Sequence, residues 1–376
     1  MKEPYNLCIV KPNKSAFSET FIQAQIDRLK GNKKVLYGGD FPLYDDQGKF
    51  LIRSKLWLLV YLIQKRLFKK REIGVRTRAL ADYLKKNDID VVLAEYGMVG
   101  AMIASACKMA GVPLVIHFHG ADAHHRPTIA KYQQLYHKAF DYASAIVAVS
   151  NDMVQSLKKI GAPAAKIHLN PYGVDGEKFP LIDISNSGPY FLSVGRFVEK
   201  KSPQSVIRAF KKVNEDFPEA HLWMVGDGPL FDEAKQLITE LSLTGNVTLT
   251  GVMTATEIRK LMEKVRCFVQ HSVTAADGDM EGTPNTILEA ASSGLAIVST
   301  AHAGIKEAVL DGIAGFLVPE HNIDEMAAKM LSIAGDVKLA AKMGLAAHDH
   351  IVQNYDINKR IALLDGIIQS SISNKN

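Results

Sequence analysis

Short apolar, β-branched runs alternate with longer amphipathic segments along the chain. In the first half the runs Asn6–Val10, Val35–Tyr37, Val91–Ala94, Leu114–Phe118 and Ala145–Val149 read as strands. In the second half the same reading holds for Tyr190–Val194, His221–Val225, Val247–Thr250, Cys267–Gln270, Ala296–Ser299 and Phe316–Val318. Apolar residues spaced three or four apart predict helices between them, among them Pro203–Asn214, Leu230–Leu241, Ala255–Lys264 and Asn285–Ser293. Strands that are apolar on both faces and alternate with helices predict parallel sheets covered on both sides. The polar stretch Asp183–Pro189 separates two such series. The expected architecture is therefore α/β, with two Rossmann-like doubly wound domains over residues 1–180 and 188–350. A last helix over 351–376 is expected to pack back on the first domain. Ligands of such sheets bind at the carboxyl ends of the strands, which makes a cleft between facing domains the expected site.

Composition narrows this picture. Of 376 residues, 47% are apolar and 23% charged, which excludes disorder, collagen and coiled coil. The longest conspicuous apolar run, Leu56–Ile63, has eight residues, well short of a bilayer span. The opening MKEPYNLCIVKPNK reads as a first strand rather than a signal peptide. Cys8, Cys107 and Cys267 are odd in number and far apart, which fits a reducing cytosol better than a disulfide framework.

Charge is unevenly distributed. Residues 1–180 carry 27 Lys/Arg against 16 Asp/Glu, while 181–376 carry 18 against 24. Within the first half, residues 49–86 hold 12 basic residues and two acidic ones. The segment Phe50–Arg71 (FLIRSKLWLLVYLIQKRLFKKR) mixes Leu, Trp, Tyr and Ile with Lys55, Lys65, Arg66, Lys69, Lys70 and Arg71. It suits an interfacial helix on an anionic membrane surface as well as a core helix with a basic end. No nucleic-acid-binding motif accompanies it, so nucleic acid is not an expected partner.

Two constellations carry candidate chemistry. Glu281 and Glu289 stand eight residues apart in EGTPNTILE, with Thr283 as the expected N-cap and Pro284 as the first residue of a helix ending near Gly294. Carboxylates beside the free amides of a helix start suit a polyhydroxylated phosphate ligand. Two Glu at this spacing also arise by chance, and one near a helix start merely complements the dipole. The second constellation is Arg196 and Lys201, after a strand and before a helix with Ser202 as expected N-cap, a geometry that suits a diphosphate. The turn Gly226-Asp227-Gly228-Pro229 adds a loop of close backbone approach, without a complete dinucleotide fingerprint.

In this order and spacing, Gly195-Arg196…Lys201, Gly226-Asp-Gly-Pro229 and Glu281-x7-Glu289 resemble the retaining glycosyltransferases of family 4, which have the GT-B fold. His117-Phe-His119-Gly-Ala-Asp122, Val149-Ser150 and Asn170-Pro-Tyr-Gly173-Val-Asp175 extend the resemblance to the first half. The variant Asp279-Met-Glu281-Gly-Thr-Pro284 is similar to enzymes of bacterial exopolysaccharide assembly of the colanic-acid type.

The resemblance implies two facing domains, the first taking the acceptor and the second the nucleotide sugar. It implies that Arg196 and Lys201 stabilise the leaving diphosphate, and that Glu289 accepts the ribose hydroxyls. It places Glu281 and His119 at the donor sugar, and the Gly282, Thr283, Pro284 and Asn285 segment around sugar and phosphate. Gly226 and Gly228 join the donor site, and Val252, in the Gly251–Met253 loop, touches the base. Ser18, Glu19 and Thr20 stand where many members have a Gly-Gly pair, and with Asp122 they form the acceptor-side loop. No cofactor or metal is implied beyond the donor as co-substrate. Asp277-Gly-Asp279 formally matches the metal signature of the other large glycosyltransferase fold and is discounted. The acceptor is expected to be a saccharide or a lipid-linked saccharide, and the enzyme cytoplasmic, at the inner face of the membrane. An epimerase or phosphorylase on the same fold remains an alternative, as does a non-catalytic component of a membrane complex.

Overall fold

The computed structural model describes residues 5–14, 19–67 and 73–373. The chain divides into two compact units, one of residues 1–170 and 360–376 and the other of residues 171–359.

The first unit is built on a seven-stranded sheet. Its strands are β1 (Asn6–Lys11), β2 (Asn32–Tyr37), β3 (Tyr44–Asp45), β4 (Val91–Glu95), β5 (Leu114–His117), β6 (Ala145–Ala148) and β7 (Ile167–Leu169). Their order is β3-β2-β1-β4-β5-β6-β7, and all pairs are parallel except the antiparallel edge pair β2–β3. The short edge strands β3 and β7 lack the apolar run that announces the others. The direction of winding reverses between β1 and β4. On one face of the sheet, alternate residues Leu7, Ile9, Leu93, Val115 and Val147 form a continuous core with Leu364 and Ile368 of the C-terminal helix Ile357–Ser373. Burying each of those two side chains contributes on the order of 1.5–3 kcal/mol. The same helix is tied at Asp365, whose Oδ1 accepts the Tyr5 hydroxyl at 2.5 Å.

The second unit has six parallel strands. They are β8 (Tyr190–Val194), β9 (His221–Val225), β10 (Val247–Gly251), β11 (Cys267–Gln270), β12 (Ala296–Thr300) and β13 (Gly315–Val318), in the order β10-β9-β8-β11-β12-β13. Here the reversal lies between β8 and β11, so the loops after these two strands open at the switch point where such sheets take ligands. The helix Pro203–Asp216 shows why the segments fold as they do. Pro203 pre-sets its first turn, Val206, Ile207, Phe210 and Val213 are buried along one face, and the chain leaves it at Phe217-Pro218. Ser202 holds the N-cap position but does not cap. It lies in the left-handed region (φ 37°), and its hydroxyl pairs with that of Ser205 at 2.7 Å. The helix after Glu281 also begins later than expected. It spans Asn285–Ser292 with Pro284 at the N-cap, which leaves Thr283 outside.

Candidate active site

The candidate site of the second unit gathers at the carboxyl ends of β8, β9, β11 and β12. After β8, the chain passes Gly195 and Arg196 and makes one 3-10 turn, Glu199–Lys201. After β11 it runs a long loop to Glu281. The two loops are stitched together: Val273 N–H donates to the Lys200 carbonyl (2.9 Å), and Ala276 N–H to the Glu199 carboxylate (2.7 Å). The stitching brings the Lys201 ammonium within 3.1 Å of the Glu281 carboxylate, a pairing that resemblance did not specify. Lys200 lies 4.0 Å from Glu281 and 3.1 Å from Asp279. Asp279, half of the formal metal signature, is thus held by an ammonium, and Asp277 accepts the Asp279 N–H.

Electrostatics of the pair follow from burial. Desolvation alone would raise the Glu281 carboxyl, but Lys201 and Lys200 outweigh it and hold the group below the usual carboxylate range. For Lys201 burial dominates over the attraction of Glu281, so its ammonium is lowered. A buried pair of this kind is costly to break one partner at a time.

Arg196 and Lys201 line one small pocket with Ser193, Met224 and Gln270. Arg196 is exposed, whereas Lys201 is partly buried. The Gly226-Asp-Gly loop closes against the same segment. Phe197 N–H donates to the Asp227 carbonyl, and a Cβ on Gly226 or Gly228 would meet the carbonyl oxygens of Gly195 and Phe197 at 2.0 and 2.5 Å. Both glycines have positive φ (135° and 156°). The motif therefore has a packing role, which keeps the Arg196 loop in place. Val252, in the loop after β10, is exposed.

Glu289 sits in the second turn of its helix, half-buried, and burial pushes its carboxyl up to about 7. Among the described residues no donor or cation faces it. A half-buried carboxylate whose ionised form is disfavoured and which makes no hydrogen bond or ion pair among the described residues is of the kind that marks ligand sites. Glu281, Thr283 and Pro284 are buried, and Asn285 and Thr286 supply first-turn amides that have no intrahelical acceptor.

In the first unit, β4 ends in Glu95 and β5 in His117, with His119 two residues on. His119 Nε2 lies 2.8 Å from Glu95 Oε2, and its ring packs between those of Phe21, Tyr96 and His117. Burial pushes Glu95 up to about 7 and lowers His119 to about 4 and His117 to about 3. Both imidazoles are thus neutral at pH 7; His119 hydrogen-bonds Glu95, whereas His117 Nδ1 stands 3.6 Å from Glu95 Oε2 and 3.3 Å from Gln25 Nε2. Among the described residues these three form one group whose metal-ligating atoms lie within 4.8 Å of one another. Asp122 is fully buried and accepts the backbone N–H groups of Gly97, His119 and Gly120. Its carboxylate therefore holds the strand-end loop. Glu19 accepts from Asn13 and from the Tyr96 hydroxyl, and Thr20 is the exposed first residue of a helix. Ser18 lies outside the described residues, as do Lys69, Lys70 and Arg71 of the basic segment.

Lys200, Glu95, His302 and Glu320 were not singled out in the sequence. Glu95 had a signal, a carboxylate closing the otherwise apolar run Val91–Ala94. Lys200 could not be told from its neighbour Lys201 without a structure.

Comparison with known proteins agrees across the chain. The family model "Glycosyltransferase Family 4" matches residues 55–178, and "Glycosyl transferases group 1" matches residues 177–350. The amylovoran biosynthesis glycosyltransferase AmsK of Erwinia amylovora is 30% identical over 73% of this chain and 68% of that protein. A UDP-Gal:alpha-D-GlcNAc-diphosphoundecaprenol alpha-1,3-galactosyltransferase of Escherichia coli is 26% identical over 79% of each chain. Among solved structures, that of Anabaena Alr3699/HepE in complex with UDP superposes with a TM-score of 0.77 at 18% identity, covering 97% of this chain and 100% of the other.

Proposed function

The chain belongs to glycosyltransferase family 4 and has the GT-B fold, and from that premise we propose that it moves a sugar from a nucleoside-diphosphate sugar to an acceptor hydroxyl, with retention of configuration, in cell-surface polysaccharide assembly. The observation that carries this reading is the half-buried Glu289 carboxylate, pushed up to about 7 by burial and without a hydrogen bond or ion pair among the described residues. The carboxylate lacks a donor among the described residues, and the vicinal hydroxyls of a ribose would supply two. Arg196 and Lys201 answer the other half of the same ligand, the charge that develops on the β-phosphate as the nucleoside diphosphate leaves. Preorganised cations and helix-start amides at that point lower the barrier, and such electrostatic stabilisation is commonly the largest catalytic contribution. In this reading these groups supply the charge without a metal.

Glu281 then faces the sugar hydroxyls near the reacting carbon. Its pairing with Lys201 keeps it ionised before the donor arrives, and the incoming phosphates give that ammonium a second anion. His119, in the first unit, is assigned a donor-sugar contact by the family resemblance, with Glu95 holding its imidazole. The named relatives support a nucleotide-sugar donor and a saccharide or lipid-linked acceptor, since one is described by a UDP-sugar and a diphosphoundecaprenol acceptor and a structural neighbour was solved with UDP.

The test is a panel of UDP-, GDP-, ADP- and TDP-sugars scored by thermal shift, followed by product analysis with the stabilising donor. Stabilisation by one class, with release of its nucleoside diphosphate, is the expected result. No shift from any member would overturn the reading, and a new sugar isomer formed from donor alone would replace it with epimerisation.

The same reading includes an anionic membrane surface as partner, at the inner face of the cell membrane. Among the described residues no helix is long and apolar enough to cross a bilayer. The helix Lys55–Leu67 instead has two apolar faces. One buries Tyr61 against Ile52 and Ile73, and the other leaves Leu56 68% and Leu59 55% exposed, with Trp57, Leu62 and Ile63 also open. Lys55, Lys65 and Arg66 are exposed on the same helix. An apolar strip bordered by cations matches the acyl–headgroup boundary of anionic lipid, and would hold the enzyme where a lipid-linked acceptor lies.

A further inference from the structure

The loop after β12 braces Glu281 from behind. His302 is buried in this loop, and its Nε2 lies 3.1 Å from the backbone nitrogen of Glu281. A backbone amide can only donate, so Nε2 must present its lone pair. In a neutral imidazole the proton then sits on Nδ1, and Nδ1 lies 2.6 Å from Glu320 Oε1. The geometry thereby fixes one tautomer, Nδ1–H donating to Glu320 and Nε2 accepting from Glu281. Glu320 is itself anchored, its other oxygen accepting the Thr274 N–H at 2.8 Å. A second strut runs beside the first, from Gly304 N–H to the Gly282 carbonyl at 3.2 Å. Between the two struts stands Ala303, a buried non-glycine residue at φ +41°. Backbone in that region is strained for a residue other than glycine and persists only where surrounding contacts over-determine it.

We propose that Glu320 is a positioning residue for transfer, acting through His302 to set the height of the Glu281 backbone and so the placement of its carboxylate against Lys201 and the donor sugar. Neither residue belongs to the motifs that carry the family resemblance. The inference rests on the reading that Glu281 contacts the donor sugar. His302 meets the Glu281 amide on one side and the anchored carboxylate on the other, so the chain Glu320–His302–Glu281 runs without a gap. A displacement of an ångström at a reacting centre can cost about a hundredfold in rate, which makes such a brace consequential without any contact to substrate.

The test uses the full chain with the UDP-, GDP-, ADP- or TDP-sugar that gives the largest thermal shift, and follows release of nucleoside diphosphate. His302→Gln keeps an acceptor near the position of Nε2, whereas His302→Ala removes it. Glu320→Gln is isosteric but neutral. The proposal expects kcat to fall about tenfold or more in His302→Ala and Glu320→Gln, with His302→Gln recovering part of it, while affinity for the bare nucleoside diphosphate stays within about twofold. A general loss of structure would lower both together. Nitrogen-15 spectroscopy of the imidazole gives a second readout, expected to show the neutral Nδ1–H form of His302 in the wild type. An Nε2–H or doubly protonated ring at neutral pH overturns the proposal even if His302→Ala does not fold, and so does unchanged kcat in Glu320→Gln. If Glu281→Ala also leaves turnover unchanged, it is the underlying reading of Glu281 that has failed, and the proposal falls with it.

Discussion

The Lys201 ammonium and the Glu281 carboxylate, eighty residues apart in sequence, meet at 3.1 Å at the carboxyl ends of neighbouring strands, with Lys200 as a more distant third charge. The pair is largely buried, so neither group can be removed without consequence for its partner.

Glu281→Ala and Lys201→Ala are each expected to reduce transfer by about a hundredfold or more if these groups meet the donor. Their stabilities should differ. Removing Glu281 leaves two ammoniums facing each other without their shared anion, whereas removing Lys201 leaves Lys200 to compensate. Glu281→Ala should therefore melt lower than Lys201→Ala, and the double variant should recover part of the loss. Thermal denaturation of the three variants checks this, and additive losses would contradict it.

Glu289 gives a pH dependence whose sign is fixed. Its folded-state pKa of about 7 lies above the ordinary value of 4.5 because burial disfavours the charged form. The folded state thus holds the extra proton between those values, and stability falls as pH rises through about 7. The full shift corresponds to an upper bound of roughly 3.5 kcal/mol, less as solvent screens this half-buried group. Glu289→Gln is expected to match the wild type near pH 5 and to be more stable near pH 8, while losing nucleotide affinity. Chemical denaturation at the two pH values is the measurement, and an equal difference at both would contradict the assignment.

Gly226→Ala would place a Cβ 2.0 Å from the Gly195 carbonyl oxygen at a φ of +135°. The chain must shift there, at a cost of about 2 kcal/mol or more, and the Arg196 loop shifts with it. Gly245→Ala, with open space around it, is the control and should be near neutral. Melting temperature and nucleotide binding measured on both variants separate the two outcomes.

Leu56→Glu and Leu59→Glu are expected to weaken binding to vesicles containing phosphatidylglycerol without changing donor turnover in solution. Wild-type binding should fall with added salt and be weak on pure phosphatidylcholine. Vesicle co-sedimentation reads this directly. Equal binding of wild type and both variants would show that this helix face is not the membrane contact.

Much of the fold was legible because a parallel strand buried on both faces leaves an uninterrupted apolar run, as Val91–Ala94 and Cys267–Gln270 do. The edge strands β3 and β7 were not, since a two- or three-residue strand with one open side carries no such run. Capping failed in a different way. Ser202 has the chemistry of an N-cap, but at its left-handed φ its hydroxyl meets that of Ser205 instead of a first-turn amide. At the site, Arg196, Lys201, Glu281 and Glu289 stand in motifs that carry the family resemblance, whereas the brace of His302 and Glu320 joins residues from separate loops and appears only when β11, β12 and β13 lie side by side.

The closing of the first unit's core by Leu364 and Ile368 bears on the order of assembly. During synthesis, the sheet of β1 to β7 emerges before the second unit but lacks two of its apolar partners until residues 364 and 368 have also been made. The second unit, whose residues run without interruption from 171 to 359, can finish before the unit that precedes it. A chain that stops before Leu364 would therefore damage the amino-terminal half, leaving β4 and β5, which lead to Glu95 and His119, with an uncovered face while the residues around Glu281 stay intact.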